Sequence, residues 1–144
     1  MHFRLVDQVL ECSAQSAVTL KNVSLAEEYL QDHFPGFHVL PGVFMLEALV
    51  QSSRLVLAQR TAGAPCRMVL GEVRALKYGS FVRPGDALRC EVTLDRAHED
   101  GRVSFKAIGT VLRGVSASAA ATDTAVSGRF TMRPVRTAPP AGVR

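Results

Sequence analysis

The sequence predicts an α+β domain in which one long central helix is wrapped by an antiparallel sheet of five or six strands, with a second copy needed to complete it. Three observations predict this. Residues 41–63 contain no helix breaker between the opening Pro41-Gly42 and Gly63, segments elsewhere alternate apolar and polar residues with a period of two, and 144 residues suit a single core. The domain is expected to span residues 1–136. Residues 137–144 carry two prolines and little to bury, so they are expected to be a disordered tail.

Residues 3–12 and 16–23 are rich in Val, Leu and Phe, and Val18 and Leu20 alternate with Thr19 and Lys21, which predicts two strands. Ser24 followed by Glu27 is a capping-box pattern that opens a short helix through Leu30, before His33-Phe34-Pro35-Gly36 breaks it. Pro41 at the first helical position opens the long helix, whose twenty or so residues make a rod of roughly 30 Å. Val43, Phe44, Met45, Leu46, Ala48, Leu49 and Val50 make its start apolar almost all round, so it is expected to be surrounded by protein. Beyond Pro65 the texture is strand-like. Leu88, Cys90, Val92 and Leu94 face one way while Arg89, Glu91, Thr93 and Asp95 face the other. His98-Glu99-Asp100-Gly101 supplies a turn before a strand over residues 102–112, and Val126, Gly128, Phe130 and Met132 mark a last strand. Residues 116–124, rich in Ala, Ser and Thr, read as a loop or a weak strand. One sheet leaves its edges open, so pairing with a second copy is expected and a homodimer is the minimum.

Composition excludes several classes. The 17 Lys and Arg exceed the 13 Asp and Glu by a net charge of +4, scattered without a basic run and with no Trp, which suits an acidic protein partner better than nucleic acid. The apolar stretch at residues 39–50 is too short to cross a bilayer. Cys12, Cys66 and Cys90 are far apart and odd in number, giving neither a disulfide framework nor a metal clip. Arg4 and Asp7 interrupt the N-terminal apolar residues, so no secretory signal is read and a cytoplasmic setting is expected.

The chemistry concentrates between residues 33 and 51. Glu47 is the only formally charged side chain between Asp32 and Arg54 and sits among Leu46, Ala48, Leu49 and Val50, where a buried carboxyl needs a partner or a role. Its structural alternative is a Glu at the helix edge, reaching solvent or pairing with a surface Arg. His33 precedes the helix in a Pro-Gly turn, and Pro41-Gly42-Val43 presents the helix N-terminus, whose unpaired N–H groups favour negative charge. Base, acid and anion site suit removal of a proton alpha to a thioester carbonyl while a hydroxyl leaves the beta carbon. His33 would take the proton, Glu47 would donate to the hydroxyl, and the backbone of Gly42 and Val43 would hold the enolate oxygen. Phe34, Val39 and Phe44 are the expected acyl-binding side chains. No cofactor and no metal is called for.

The run His33-Phe-Pro-Gly-Phe-His-Val-Leu-Pro-Gly-Val-Phe-Met-Leu-Glu47-Ala-Leu-Val-Gln51 resembles HFPGxPxxPGxxxxEAxxQ, the signature of FabZ-type 3-hydroxyacyl-[acyl-carrier-protein] dehydratases. Lys77 and Tyr78, followed by Arg83-Pro-Gly-Asp86, fall where that family has KFRRPVVPGD, and Phe3-Arg-Leu-Val-Asp7 is similar to its first strand. The resemblance implies a hot-dog fold and a dimer, leaving a trimer of dimers open. It also implies active sites at the interface, where the positions of His33 and Glu47 meet from different subunits. The backbone at Gly42 matches the oxyanion donor, Gln51 matches a residue that positions the acid, and acyl carrier protein is the implied partner. Glu47, rather than the Asp of the FabA type, favours plain dehydration.

The sequence departs from the family at His38, which replaces Pro and reads as a structural or rim residue. It departs again at Gly79, Ser80 and Phe81, which replace two basic residues and a Pro, and those basic residues help dock the carrier in the family. The alternative functions are a hot-dog acyl thioesterase and a non-catalytic acyl-binding subunit of a biosynthetic complex.

Overall fold

The computed structural model describes residues 3–62, 67–114 and 123–135. Its strands are β1 Gln8–Cys12, β2 Ser16–Asn22, β3 Met68–Tyr78, β4 Ala87–Ala97, β5 Val103–Leu112 and β6 Asp123–Pro134, with the helix α1 spanning Gly42–Arg60. All strand pairs are antiparallel, in the order β1-β2-β4-β5-β6-β3. The sheet curls around α1, which is the hot-dog arrangement.

Period-two patterning drives the packing. Leu88, Cys90 and Val92 of β4, Phe105 and Val111 of β5, and Val126, Phe130 and Met132 of β6 form the apolar inner face. Against it α1 buries Met45, Ala48, Leu49, Val50, Val56 and Leu57, and each large side chain so enclosed contributes about 1.5–3 kcal/mol. Three hydroxyls enter this core without remaining unpaired: Ser52 Oγ lies 2.7 Å from Thr19 Oγ1 and donates to the Ala48 carbonyl at 2.8 Å, and Ser53 Oγ donates to the Val50 carbonyl at 2.7 Å.

Three expectations change in the fold. First, α1 is covered on one side only. Val43 is 67% exposed and Arg54 is also exposed, because a single sheet reaches just one face of a helix that is apolar on nearly all of them. Second, the capping-box residues make a single 3-10 turn, Glu28–Leu30, where Ser24 Oγ accepts from the Ala26 N–H at 3.3 Å and Glu27 Oε1 accepts from the Ser24 N–H at 3.4 Å. Third, β3 is an eleven-residue edge strand that the alternation rule did not mark out, because its pairing with β6 is interrupted between Leu70 and Glu72 and between Arg74 and Lys77. Ala75 at the second interruption has a φ of 50°, and each bulge inverts the inward–outward order. Of residues 116–124, Asp123 and Thr124 belong to β6, while 116–122 lie outside the described residues, as do 137–144 and Cys66. No helix among the described residues is long and apolar enough to cross a membrane.

Candidate active site

His33 is held by its own loop. Phe34 and Phe37 exchange backbone hydrogen bonds around Pro35 and Gly36, and the φ of 74° at Gly36 is one that glycine adopts without penalty. The Val39 N–H donates to the His33 carbonyl at 3.0 Å, while His33 Nδ1 lies 3.0 Å from the Val39 carbonyl. A carbonyl only accepts, so Nδ1 carries a proton, and in the neutral imidazole Nε2 is the nitrogen with the lone pair. His38 does a different job: its Nδ1 donates to the Leu30 carbonyl at 2.6 Å and ties this loop to the 3-10 turn.

The loop runs into the start of α1. The Pro41 carbonyl accepts from the Phe44 and Met45 N–H groups at 2.9 and 3.1 Å, so the N–H groups of Gly42 and Val43 precede the first intrahelical bonds. A Cβ on Gly42 would stand 2.9 Å from Tyr78 Cε1, so glycine is what lets the tyrosine ring lie against the helix end. His33, Phe34, Val39, Gly42 and Tyr78 share a cavity of about 250 Å³ that Met45 and Phe81 also help line. A larger groove of about 490 Å³ lies among Lys77, Lys106 and Arg129, but it is open, charged and separate from His33.

The Arg83-Pro84-Gly85-Asp86 segment serves this cavity indirectly. Asp86 accepts the Arg83 N–H at 2.9 Å and the turn closes through Gly85 at a φ of 94°, placing the Val82 carbonyl 2.8 Å from the Leu40 N–H just before the helix. The departure at Gly79 has a steric cause: a Cβ there would lie 2.4 Å from the Thr124 carbonyl oxygen, where the chain pairs with the start of β6. A basic side chain does not fit at position 79 with this backbone.

Glu47 belongs to a second group of residues. Its Oε1 accepts from Gln51 Nε2 at 3.0 Å, and Gln51 in turn donates to the Phe3 carbonyl at 2.9 Å and accepts the Leu5 N–H at 2.8 Å. Thus Gln51 does contact Glu47 one turn away, and the N-terminal segment fixes Gln51. Phe44 packs with this group, its ring centroid 5.1 Å from Phe3 and 4.6 Å from Tyr29, and it does not line the His33 cavity. The expectation of a buried Glu47 is corrected within one chain: its side chain is 36% exposed and lies 3.8 Å from Arg54 Nη1, the helix-edge arrangement. The cause is the uncovered stripe of α1. His33 and Glu47 therefore face different surroundings in one copy. Sequence reasoning missed the support given by Phe3 and Leu5, and no local pattern signals a backbone partner 46 residues from Gln51.

The FabA-like domain family matches residues 1–117. The chain belongs to that family. It is 41% identical over 108 residues to a 3-hydroxyacyl-[acyl-carrier-protein] dehydratase FabZ of Oenococcus oeni, covering 74% of this chain and 77% of that one. Identity to the FabZ dehydratase of Cupriavidus taiwanensis is 43% over 114 residues, covering 76% and 74%. Among solved structures, the dehydratase heterocomplex ApeI:P from Xenorhabdus doucetiae superposes with a TM-score of 0.70 at 18% identity, covering 93% of this chain and 84% of that one. A hypothetical thioesterase with coenzyme A from Streptococcus pneumoniae gives 0.60 at 13% identity, covering 87% and 82%. At those identities the two structures show the shared fold alone, whereas the FabA-like sequence relationship ties the chain to a family of hydro-lyases.

Proposed function

We propose that the protein dehydrates a 3-hydroxyacyl thioester, carried on acyl carrier protein, to the trans-2-enoyl thioester in fatty-acid-like or polyketide-like biosynthesis. One observation supports the assignment of roles: the Val39 carbonyl selects the Nδ1–H tautomer of neutral His33, which makes Nε2 the nitrogen able to take a proton beside an apolar cavity at the start of α1.

The steps balance without an external reagent. His33 Nε2 takes the proton from C2, and the electrons move onto the thioester oxygen, which the Gly42 and Val43 N–H groups and the helix dipole stabilise. Glu47, in its protonated form, gives its proton to the C3 hydroxyl, the C3–O bond breaks, and water leaves as the C2–C3 double bond forms. Transfer of the proton from His33 back to Glu47 through water resets the site. Phe34 and Val39 flank the acyl chain, and Gln51 orients the acid. The exposed stripe of α1 supports a dimeric site in which Glu47 of a second copy approaches His33. The free thiols of Cys12 and Cys90 suit a reducing cytoplasm.

The test is mass spectrometry of a 3-hydroxyacyl carrier-protein substrate incubated with purified protein. Wild type should yield the enoyl product, and His33→Ala should reduce turnover by about 10²-fold or more. Release of free thiol would indicate the thioesterase reading instead, and a bound acyl ligand without turnover would indicate the acyl-binding subunit.

A further inference from the structure

Lys21 is nearly enclosed, with a side chain 7% exposed, yet it carries a charge that the dehydration steps do not use. Its ammonium lies 3.3 Å from Asp7 Oδ2 and 3.0 Å from Glu27 Oε1. Each carboxylate grips a different stretch of backbone. Asp7 Oδ2 also accepts the Asn22 N–H at 2.7 Å, and the Asp7 N–H donates to the Leu20 carbonyl at 2.8 Å, which anchors the N-terminal segment on β2. Two and four residues earlier that segment holds Gln51, and through it Glu47, by the Leu5 N–H and the Phe3 carbonyl. Glu27 accepts from the Ser24 N–H and the Tyr29 hydroxyl, and its carbonyl accepts the Leu30 N–H at 3.0 Å. The Leu30 carbonyl then holds His38 in the His33 loop. The Tyr29 ring closes the circuit on Phe3 and Phe44.

We infer that Lys21 is a positioning residue that sets the base-bearing loop and the acid-supporting segment from one buried point, an inference that rests on the dehydratase reading for its kinetic consequence. Lys21 touches no reacting atom. Removing its charge would leave two partly buried carboxylates facing each other, and each would pull its own stretch of backbone toward water. A misplacement of about 1 Å in a group that transfers protons is enough to cost on the order of 10²-fold in rate.

The experiment compares wild type, Lys21→Met and the charge-relieved pair Lys21→Met with Glu27→Gln, in steady-state kinetics and in amide hydrogen exchange of the same samples. In Lys21→Met, kcat should fall about 10-fold or more while KM stays within about 3-fold, since alignment rather than binding is lost. Exchange should accelerate at Leu5 and Val39 while Phe105 in the sheet stays protected. The pair should recover part of the kcat. Adding Gln51→Ala to Lys21→Met should cost less than Gln51→Ala alone, because both act on one segment. Unchanged kcat and unchanged exchange at Leu5 and Val39 would overturn the inference. So would faster exchange throughout the sheet with kcat and KM both impaired, which would mark a general stabilising role. If wild type shows no dehydration, the functional reading fails, and exchange at Leu5 and Val39 alone decides the role of Lys21.

Discussion

The His33 region and the Glu47 region are built on opposite principles. His33 sits on a short loop shaped by Pro35 and Gly36, held by a backbone carbonyl six residues away, and faces a half-open cavity with an apolar lining. Glu47 sits on a rigid helix, reaches a partly exposed surface, and is steered through Gln51 by a segment from the other end of the sequence. The first has an apolar lining and the proposed base, but no carboxyl among the residues that line it. The second has the proposed acid but no such lining, and its contact with Arg54 is a partly exposed pair of the kind that contributes little. Each group lacks what the other supplies, which is why the proposed chemistry calls for two copies of the chain.

That contrast can be broken most sharply by complementation. His33→Ala and Glu47→Gln should each be nearly inactive alone. When the two are mixed and allowed to exchange subunits, about a quarter of wild-type turnover should return, since half the dimers are mixed and each contains one intact site. No recovery, despite exchange confirmed by native mass spectrometry, would mean that the two groups act within one chain.

A smaller effect is expected at the helix start. Gly42→Ala places a methyl 2.9 Å from the Tyr78 ring, which has room to swing outward because Tyr78 is half exposed. Turnover should fall by roughly 10-fold through the disturbed backbone site, with little change in the unfolding midpoint. An equal loss in a variant that also carries Tyr78→Ala would show that the ring is irrelevant.

Gly79→Arg, which restores a basic residue of the family pattern, is expected to destabilise by about 1–3 kcal/mol in chemical denaturation, because the added Cβ meets the Thr124 carbonyl rather than a mobile side chain. A neutral result would show that the edge between β3 and β6 gives way.

The smallest effect lies beneath both regions. Burial pushes the Cys90 thiol from 9.0 up to about 12, partly offset by a hydrogen bond with Thr19. The unfolded chain therefore ionises first. The contribution to stability is full below pH 9.0 and is lost as pH rises toward about 12. Burial and Glu27 also raise the Tyr29 phenol, so it adds to the same alkaline decline. Urea midpoints measured across that range should fall less steeply in Cys90→Ala than in wild type.

The parts of the fold that were legible in the sequence are those governed by local repetition. The alternation of Leu88, Cys90 and Val92 became the inner face of β4, and the breaker-free run after Pro41 became α1. The family signature placed His33, Gly42, Glu47 and Gln51 in one short stretch. β3 escaped because two bulges erase its period, and the capping box gave one turn because the His33 loop follows too soon.

By itself the sequence determined which elements form and singled out the residues to which the proposed chemistry is assigned, because side-chain type, turn residues and periodicity are local properties. Only the tertiary structure decided how those residues are arranged. It gave His33 its tautomer, brought Leu5 and Phe3 to Gln51, laid Tyr78 on Gly42, and left Glu47 on an uncovered stripe. The His33 contact is made within its own loop, but the others join segments far apart in the chain or follow from how one sheet wraps one side of a helix, and no pattern of neighbouring residues encodes them.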